Sequence, residues 1–240
     1  MAERYQILAG GRWLSTPDES EVLNPFDGSA AGVTYLAGPA ELESALAAAA
    51  GSFAGLKAMS SYERAAVLRR VVEGIGERAE ELARTICVES GKPIREARGE
   101  VCRAQNTFEI AAEEAKRLGG EVMPLDIMPG NDGRFAIIRR FPVGVVLGIT
   151  PFNFPLNLVA HKVAPAMACG NPIIIKPAQA TPITALKLAQ IIDAAGWPSG
   201  ALSVVPCTNE NAQALFLDER VKKLSFTGSA KVGWMLKAMA

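Results

Sequence analysis

Residues 143–176, with the sequence VGVVLGITPFNFPLNLVAHKVAPAMACGNPIIIK, decide the fold of this chain. The apolar run at 143–149 predicts a buried strand, 155–169 predicts a helix, and 172–175 predicts a second strand. A strand, a helix and a strand joined by short connections form a βαβ unit, in which both strands lie parallel in one sheet.

The same alternation continues along the chain. Helices are predicted at residues 181–195, at 209–217 and from 229 onward, and strands at 201–205 and 223–226. The sequence therefore predicts an α/β fold, a Rossmann-like parallel sheet with flanking helices. Ligands of such sheets bind at the carboxyl ends of the strands.

Before the sheet the chain is predicted to be mainly helical. Short strands and turns are expected at 7–36, then helices at 40–53, at 61–90 behind a capping box of Ser60 and Glu63, and at 95–118. Residues 121–141 differ, because two β-prone stretches flank the turn-rich segment 129–133. They predict a projecting β-hairpin with no purely apolar face, suited to pairing with another subunit.

Composition excludes several classes of function. The 240 residues contain 25 basic and 25 acidic side chains, so the net charge favours neither a nucleic acid nor an anionic membrane as partner. The start of the chain shows no signal peptide, and the most apolar run is too short to span a bilayer. Four dispersed cysteines and one histidine indicate no disulfide framework and no metal site, so a cytoplasmic location is expected.

Three segments at predicted strand ends carry possible chemistry. In Ile149-Thr150-Pro151-Phe152-Asn153-Phe154-Pro155 two prolines stiffen the backbone around one amide, which could donate to an oxyanion or merely cap the next helix. Lys176, in Lys176-Pro177-Ala178-Gln179, could meet a sugar hydroxyl or a phosphate, or could extend from the sheet rim into solvent, while Thr181-Pro182 suits a helix start.

The third segment is Phe226-Thr227-Gly228-Ser229, where a strand leads into a helix. Its exposed N–H groups favour an anion such as pyrophosphate, although the segment taken alone is more simply explained by an ordinary serine cap. The chain lacks a G-x-G-x-x-G fingerprint. On the helix after Asn153, the side chains of Phe154, Leu158 and His161 share one face, which could line a substrate passage or pack in the core.

Together these segments resemble the aldehyde dehydrogenase superfamily. Residues 141–155 are similar to its P-x-G-V…I-x-P-[W/F]-N-x-P segment, residues 176–182 to K-P-[A/S]-x-x-T-P, and residues 226–233 to F-T-G-S-x-x-V/I-G. The resemblance covers essentially the whole chain, including Asn24-Pro25, Glu63-Arg64 and Ser90-Gly91-Lys92-Pro93.

The resemblance implies a role for each segment in oxidising an aldehyde with NAD or NADP. Asn153 would donate to the oxyanion, and Phe154, Leu158 and His161 would face the aldehyde tunnel. The cofactor would be bound by Ile149, Thr150, Pro151, Phe152, Lys176, Ala178, Gln179, Phe226, Gly228, Ser229 and Val232. Residues 1–122 and 142–240 would form the NAD(P)-binding domain, and 123–141 would be a hairpin that makes a homo-oligomer.

Departures from the family pattern limit what the chain would do alone. Gln179 stands where a glutamate is frequent, which admits NADP, and Pro206-Cys207-Thr208-Asn209 replaces a more glycine-rich loop. The family's E-L-G-G and G-Q-x-C segments, which carry the general base and the nucleophilic cysteine, do not occur in residues 1–240. The expectation is therefore an inactive cofactor-binding half. The alternative is a non-catalytic nucleotide-binding or assembly protein, whereas an unrelated hydrolase is disfavoured because no G-x-S-x-G is present.

Overall fold

Residues 2–239 are described by the structure, a computed structural model. Within them the helices are α1 (Pro39–Ala58), α2 (Ser61–Glu77), α3 (Ala79–Ser90), α4 (Ile94–Glu114), α5 (Asn157–Cys169), α6 (Ile183–Ala194), α7 (Asn209–Phe216) and α8 (Ala230–Met239). The strands are β1 (Ile7–Ala9), β2 (Arg12–Leu14), β3 (Glu19–Leu23), β4 (Ala30–Tyr35), β5 (Glu121–Pro124), β6 (Phe135–Ile138), β7 (Val145–Ile149), β8 (Ile173–Lys176), β9 (Leu202–Val204) and β10 (Val221–Phe226).

The main sheet has the strand order β10-β7-β8-β9-β1-β2. Its first four strands are parallel, which confirms the predicted Rossmann-like arrangement. The short N-terminal strands extend the sheet, because β1 pairs antiparallel with β9 through Leu8 and Val204, and β2 pairs antiparallel with β1. The sequence predicted these strands but did not assign them to the sheet.

Helices cover the sheet because its central strands are apolar on both faces. Every residue of β8 is buried, and Leu147 of β7 is fully inaccessible. Helix α5 contacts β7 and β8, and α2 and α4 pack on α5 as an outer layer. Helix α1 contacts β1, β7, β8 and β9 and also touches α7.

Two of the predicted helices differ in the structure. The run expected at 61–90 is divided into α2 and α3 by Arg78, whose φ of −104° and ψ of 17° leave the helical region. The helix expected at 95–118 ends at Glu114. The predicted capping box is confirmed, since Ser60 Oγ accepts from the backbone nitrogen of Glu63 at 3.2 Å and Glu63 Oε2 accepts from that of Ser60 at 2.8 Å. No helix within residues 2–239 is long and apolar enough to cross a membrane.

Strands β5 and β6 form a separate two-stranded antiparallel sheet. Val122 lies opposite Ile137, and Pro124 lies opposite Phe135, so these four side chains share one face. The expectation that neither face is purely apolar was wrong, because β6 ends at Ile138 and Arg139 does not belong to it. The hairpin therefore presents one apolar face, with Val122, Phe135 and Ile137 all exposed.

Candidate cofactor and substrate site

The carboxyl ends of β7, β8 and β10 lie side by side. Ile149 is in register with Lys176 on one side and with Phe226 on the other. Beyond the strands, the backbone nitrogen of Thr150 donates to Lys176 O at 3.2 Å, and that of Thr227 donates to Ile149 O at 3.1 Å. The structure thus brings together the three segments that the sequence singled out. These segments are far apart in the chain, and parallel pairing alone makes them neighbours.

Asn153 lies on the exposed connection that follows β7. Its side-chain amide has no hydrogen-bond partner among residues 2–239, and its carbonyl oxygen accepts from Lys92 Nζ at 2.9 Å. The alternative that Asn153 caps the next helix is wrong, because α5 begins four residues later, at Asn157. Pro155 also precedes α5 instead of lying in its first turn. The amide of Asn153 is therefore free to donate to a ligand.

Glu100 of α4 holds the start of α5 in place of a local cap. Its Oε1 atom accepts from the backbone nitrogens of Leu156 and Asn157, at 2.9 and 3.1 Å. Its Oε2 atom forms an ion pair with Lys92. Glu100 is completely buried. The sequence did not point to Glu100, since no spacing along the chain links an acid in α4 to the first turn of α5.

Lys176 ends β8 and is 6% exposed, so it does not extend from the sheet rim into solvent. Burial lowers the pKa of its ammonium group. Ala178 is partly buried, whereas Gln179 is exposed and its Nε2 atom donates to Cys207 O at 3.2 Å. Lys176 and Gln179 thus lie at the same edge as the connection after β7.

The helix start expected at Thr181-Pro182 is displaced. Helix α6 begins at Ile183, and Thr181 provides no cap. The backbone nitrogens of Ile183 and Thr184 instead donate to the carboxylate of Glu89, at 2.8 and 3.1 Å. A buried glutamate from another helix therefore caps α6, as Glu100 caps α5, because the two oxygens of its carboxyl group accept from N–H groups that the helix leaves free.

The loop between β10 and α8 is open to solvent. A Cβ atom on Gly228 would lie 2.4 Å from the ring of Phe226, so a larger residue there would make that ring move. Ser229 Oγ accepts from the backbone nitrogen of Val232 at 3.4 Å. Ser229 therefore acts as a helix cap, which was the simpler of the two interpretations of this segment. The loop and α8 line a cavity of about 440 Å³. Gly228, Ser229 and Val232 are exposed beside it.

Lys162 is a buried cation to which no sequence motif pointed. Its Nζ atom donates to Thr227 Oγ1 at 2.7 Å, which links α5 to the segment after β10. Burial lowers its pKa. Gly148 makes room for the packing here, since a Cβ atom there would lie 2.5 Å from Ile175 Cδ1 and 3.1 Å from Lys162 Cδ. The glycine at position 148, inside a strand, was the one sequence signal that could have suggested that another side chain approaches the backbone of β7 closely.

The predicted tunnel residues lie at the same end, although only Leu158 and His161 belong to α5 and Phe154 precedes its first residue. Phe154 and Leu158 are half-buried, and His161 is exposed, so the reading of His161 as a core residue is wrong. Two cations lie over the ring of Phe154, with Lys92 Nζ at 3.9 Å and Arg103 Cζ at 5.3 Å from its centroid. No sequence motif pointed to Arg103.

The cysteines do not form a catalytic arrangement. Cys207 is buried, and desolvation raises its pKa to about 11, so its thiol stays protonated at neutral pH. Burial also raises the pKa of Cys169. Within residues 2–239 no cluster of His, Cys, Asp and Glu could hold a metal ion. A cavity of about 540 Å³ lies at the amino ends of β7 and β10, near Gly144 and Lys222, away from the predicted chemistry.

Comparison with known proteins agrees with this geometry. Residues 13–240 match the model of the aldehyde dehydrogenase family. The 3-sulfolactaldehyde dehydrogenase of Priestia aryabhattai is 41% identical over 99% of this chain and 50% of its own length. The mitochondrial succinate-semialdehyde dehydrogenase of Homo sapiens is 38% identical over 97% of this chain and 44% of its own length.

Solved structures give the same result. Aldehyde dehydrogenase 21 from Physcomitrella patens, in complex with the reaction product succinate, superposes with a TM-score of 0.97 at 43% identity, covering 100% of this chain and 50% of that one. The NADP-dependent glyceraldehyde-3-phosphate dehydrogenase from Bacillus halodurans, complexed with NADP, has a TM-score of 0.94 at 31% identity, covering 99% and 51%. The chain spans about half the length of the curated relatives it matches. The chain belongs to the aldehyde dehydrogenase family.

Proposed function

We propose that the protein carrying this chain oxidises an aldehyde to a carboxylic acid with NAD⁺ or NADP⁺, and that this chain supplies the cofactor-binding half. The observation that carries the proposal is the meeting of the segments after β7, β8 and β10 at one edge of the sheet. In the overall reaction the aldehyde carbon loses hydride to the nicotinamide ring and gains an oxygen atom from water.

The residues at the edge fit a dinucleotide. Lys176 offers a cation at the end of β8, and Gln179 offers an exposed amide beside it. Gly228 and Ser229 are exposed just before α8 begins, where pyrophosphate would gain from the helix dipole. Ile149, Thr150, Pro151 and Phe152 would line the nicotinamide side, and Phe226 and Val232 would lie toward the adenosine.

Asn153 is the residue of this chain that would act on the reacting carbonyl. Its amide would donate to the oxygen that gains negative charge when a thiolate adds to the aldehyde. The stiff Thr150–Pro155 connection and the Glu100 cap would keep this donor in place before the substrate arrives. The thiolate and the general base would come from outside residues 1–240.

Gln179 makes NADP an admissible cofactor. A glutamate at this position would repel a 2′-phosphate, whereas a neutral amide does not. The side chain already donates to Cys207 O, so its position beside Lys176 is fixed by a hydrogen bond. A relative of the same fold carries NADP in its structure, which supports this choice.

The substrate class proposed is a short aldehyde with an anionic group at its far end. Support comes from the relatives, whose names specify 3-sulfolactaldehyde and succinate semialdehyde. Both compounds carry an anion, a sulfonate in one and a carboxylate in the other. The cations near Phe154 suit such a substrate.

The β5–β6 hairpin would join two copies of the protein into a homo-oligomer. Its apolar face, formed by Val122, Pro124, Phe135 and Ile137, has no covering element among residues 2–239. A two-stranded sheet is marginal in water by itself, so an exposed apolar face of this kind favours association. The proposed domain division is an NAD(P)-binding domain of residues 1–122 and 142–240, with the hairpin at 123–141 inserted between its two parts.

The direct test is an assay of the complete protein for NAD(P)H formation at 340 nm with a panel of aldehydes. Oxidation of any of them that depends on NAD⁺ or NADP⁺ is the expected result. Binding of NADP⁺ in a calorimeter without oxidation of any aldehyde would instead indicate a non-catalytic nucleotide-binding protein. The absence of both cofactor binding and aldehyde oxidation would overturn the proposal.

A further inference from the structure

Asn153 makes a single hydrogen bond among residues 2–239. Its backbone oxygen accepts from Lys92 Nζ at 2.9 Å, and its side-chain amide has no partner in this part of the chain. Asn153 is exposed and lies between β7 and α5, so neither the sheet nor the helix holds it directly. Lys92 is therefore the residue that ties Asn153 itself to the rest of the described chain.

The position of Lys92 is fixed at both ends of its side chain. Its Nζ atom pairs with Glu100, which is fully buried in α4, and lies 3.9 Å from the centroid of the Phe154 ring. Its backbone lies between Gly91, which ends α3 in the left-handed region with a φ of 69°, and Pro93, whose φ is restricted by its ring. The lysine thus extends from a stiff turn to a buried acid, and its Nζ atom has little freedom to move.

The ion pair decides what kind of effect Lys92 has on the reaction. The negative charge of Glu100 offsets the positive charge of the lysine, so the pair adds little net field at the oxygen that Asn153 would stabilise. The remaining effect is geometric, because the hydrogen bond to Asn153 O restrains the peptide unit from which the side-chain amide projects. A donor that is held in place before the reaction stabilises developing charge without having to reorganise.

We propose that Lys92 is a positioning residue, which orients Asn153 through its backbone oxygen so that the amide donates to the oxyanion of the reacting aldehyde. The inference rests on the proposed function and goes beyond it by assigning the alignment of this donor to one side chain. Lys92 touches neither the reacting carbonyl nor the cofactor in this role. Its loss therefore acts on kcat through Asn153, while KM for the aldehyde and for the cofactor stays nearly constant.

A double-mutant cycle on the complete protein separates positioning from stability. Lys92→Met keeps a long apolar side chain but removes the charge and the donors. It should lower kcat about 10- to 100-fold and change KM by less than about threefold, since a donor misplaced by about 1 Å loses most of its effect. In an Asn153→Ala background the same substitution should change kcat by less than about twofold, because no amide is left to position.

The melting temperature should behave differently in the same cycle. Lys92→Met leaves the buried carboxylate of Glu100 without its counter-ion, so Tm should fall in both backgrounds. A lysine with only a structural role would lower kcat by the same factor whether or not Asn153 is present. Equal factors would overturn the inference and leave the proposed function standing. Failure of the unaltered protein to oxidise any aldehyde would instead overturn the proposed function.

Lys187→Met is the matched control. Lys187 of α6 also pairs with a glutamate, Glu81, at 2.6 Å, and its Nζ atom lies 5.4 Å from the centroid of the Tyr5 ring. Its side chain is 10% exposed, against 14% for Lys92, so both substitutions remove a similarly buried cation. The control should lower Tm and leave kcat within about twofold of that of the unaltered protein. A fall in kcat as large as that of Lys92→Met would contradict a specific role for Lys92.

If Lys92→Met does not fold, Lys92→Arg takes its place in the cycle. Arginine keeps the charge that Glu100 requires, but its planar head places the donors elsewhere. The value of kcat should then fall several-fold in the unaltered background and stay nearly constant in the Asn153→Ala background. A Lys92→Arg variant with normal kcat, or with the same fall in both backgrounds, would contradict the proposal.

Discussion

Glu100 Oε1 lies 2.9 Å from the backbone nitrogen of Leu156, three residues after Asn153. An acid from α4 thereby fixes the start of α5 and the connection that carries the predicted oxyanion donor. The same carboxylate pairs with Lys92, whose Nζ atom reaches Asn153 O. The stability of the protein and the position of Asn153 thus both depend on the buried ion pair between Glu100 and Lys92.

Removing the carboxylate of Glu100 should destabilise the protein. The Glu100→Ala variant leaves Lys92 without its counter-ion and two N–H groups without acceptors, which costs about 3 to 5 kcal/mol. The expected result is a clear fall in Tm of the complete protein, measured by circular dichroism. Glu109→Ala, at an exposed acid of the same helix, is the control and should leave Tm nearly unchanged. Equal Tm values for the two variants would show that Glu100 is not a structural cap.

Asn153→Ala should lower kcat without a matching change in KM. The amide would act on the charge that develops during reaction, and loss of one such donor costs about 100- to 1,000-fold in kcat. Steady-state kinetics of the complete protein measure the effect. Asn106→Ala, at an exposed position of α4, should have normal kcat. A variant that changes only KM would argue for a binding role instead.

Gln179→Glu should shift the cofactor preference toward NAD⁺. A carboxylate beside Lys176 would repel a 2′-phosphate, so the ratio of kcat/KM with NADP⁺ to that with NAD⁺ should fall about tenfold or more. Gln6→Glu adds the same charge at an exposed site near the N-terminus and should not alter the ratio. An unchanged ratio in the Gln179 variant would place the 2′-phosphate elsewhere.

Glu89 should make stability depend on pH. Burial raises its pKa to about 7, although hydrogen bonds from Thr184 and Ile183 oppose the shift. Because the folded protein holds this proton more tightly than the unfolded chain, the stabilisation is complete below pH 4.5 and is lost as pH rises toward 7. The loss should amount to roughly 1 to 3 kcal/mol.

The Glu89→Gln variant isolates this contribution, because its side chain does not titrate. The Tm of the variant and of the unaltered protein are measured between pH 4.5 and 8. The Tm of the variant minus that of the unaltered protein should become more positive as pH rises. A pH-independent difference would mean that Glu89 stays ionised throughout. The Glu109→Gln variant controls for general loss of a charge on the surface.

Ile137→Lys should weaken the proposed oligomer. Ile137 is 65% exposed on the apolar face of the hairpin, and a charge there would have to be buried between subunits. Sedimentation velocity should show a smaller species than for the unaltered protein. Phe26→Lys is the control, since Phe26 is exposed at 90% in a turn outside the hairpin. A species of unchanged mass in the Ile137 variant would exclude the hairpin as the interface.

The sequence by itself determined the parallel sheet and the order of the three edge segments. Local periodicity identifies β7, α5 and β8, and the chirality of βαβ units then leaves little freedom in how they pair. The capping box of Ser60 and Glu63 was equally predictable, because both of its partners lie within one turn. Local signals also located Asn153, Lys176 and Gly228.

Only the tertiary structure decided which residues cap the helices at the site and which cations there lack an acidic partner. Glu100 caps α5 from 56 residues away, and Glu89 caps α6 from 94 residues away. Free N–H groups at a helix start donate to any well-placed carboxyl group, so packing selects the acceptor and the sequence nearby does not reveal it. The same holds for Arg103, whose position on Phe154 results from the packing of α4 against α5.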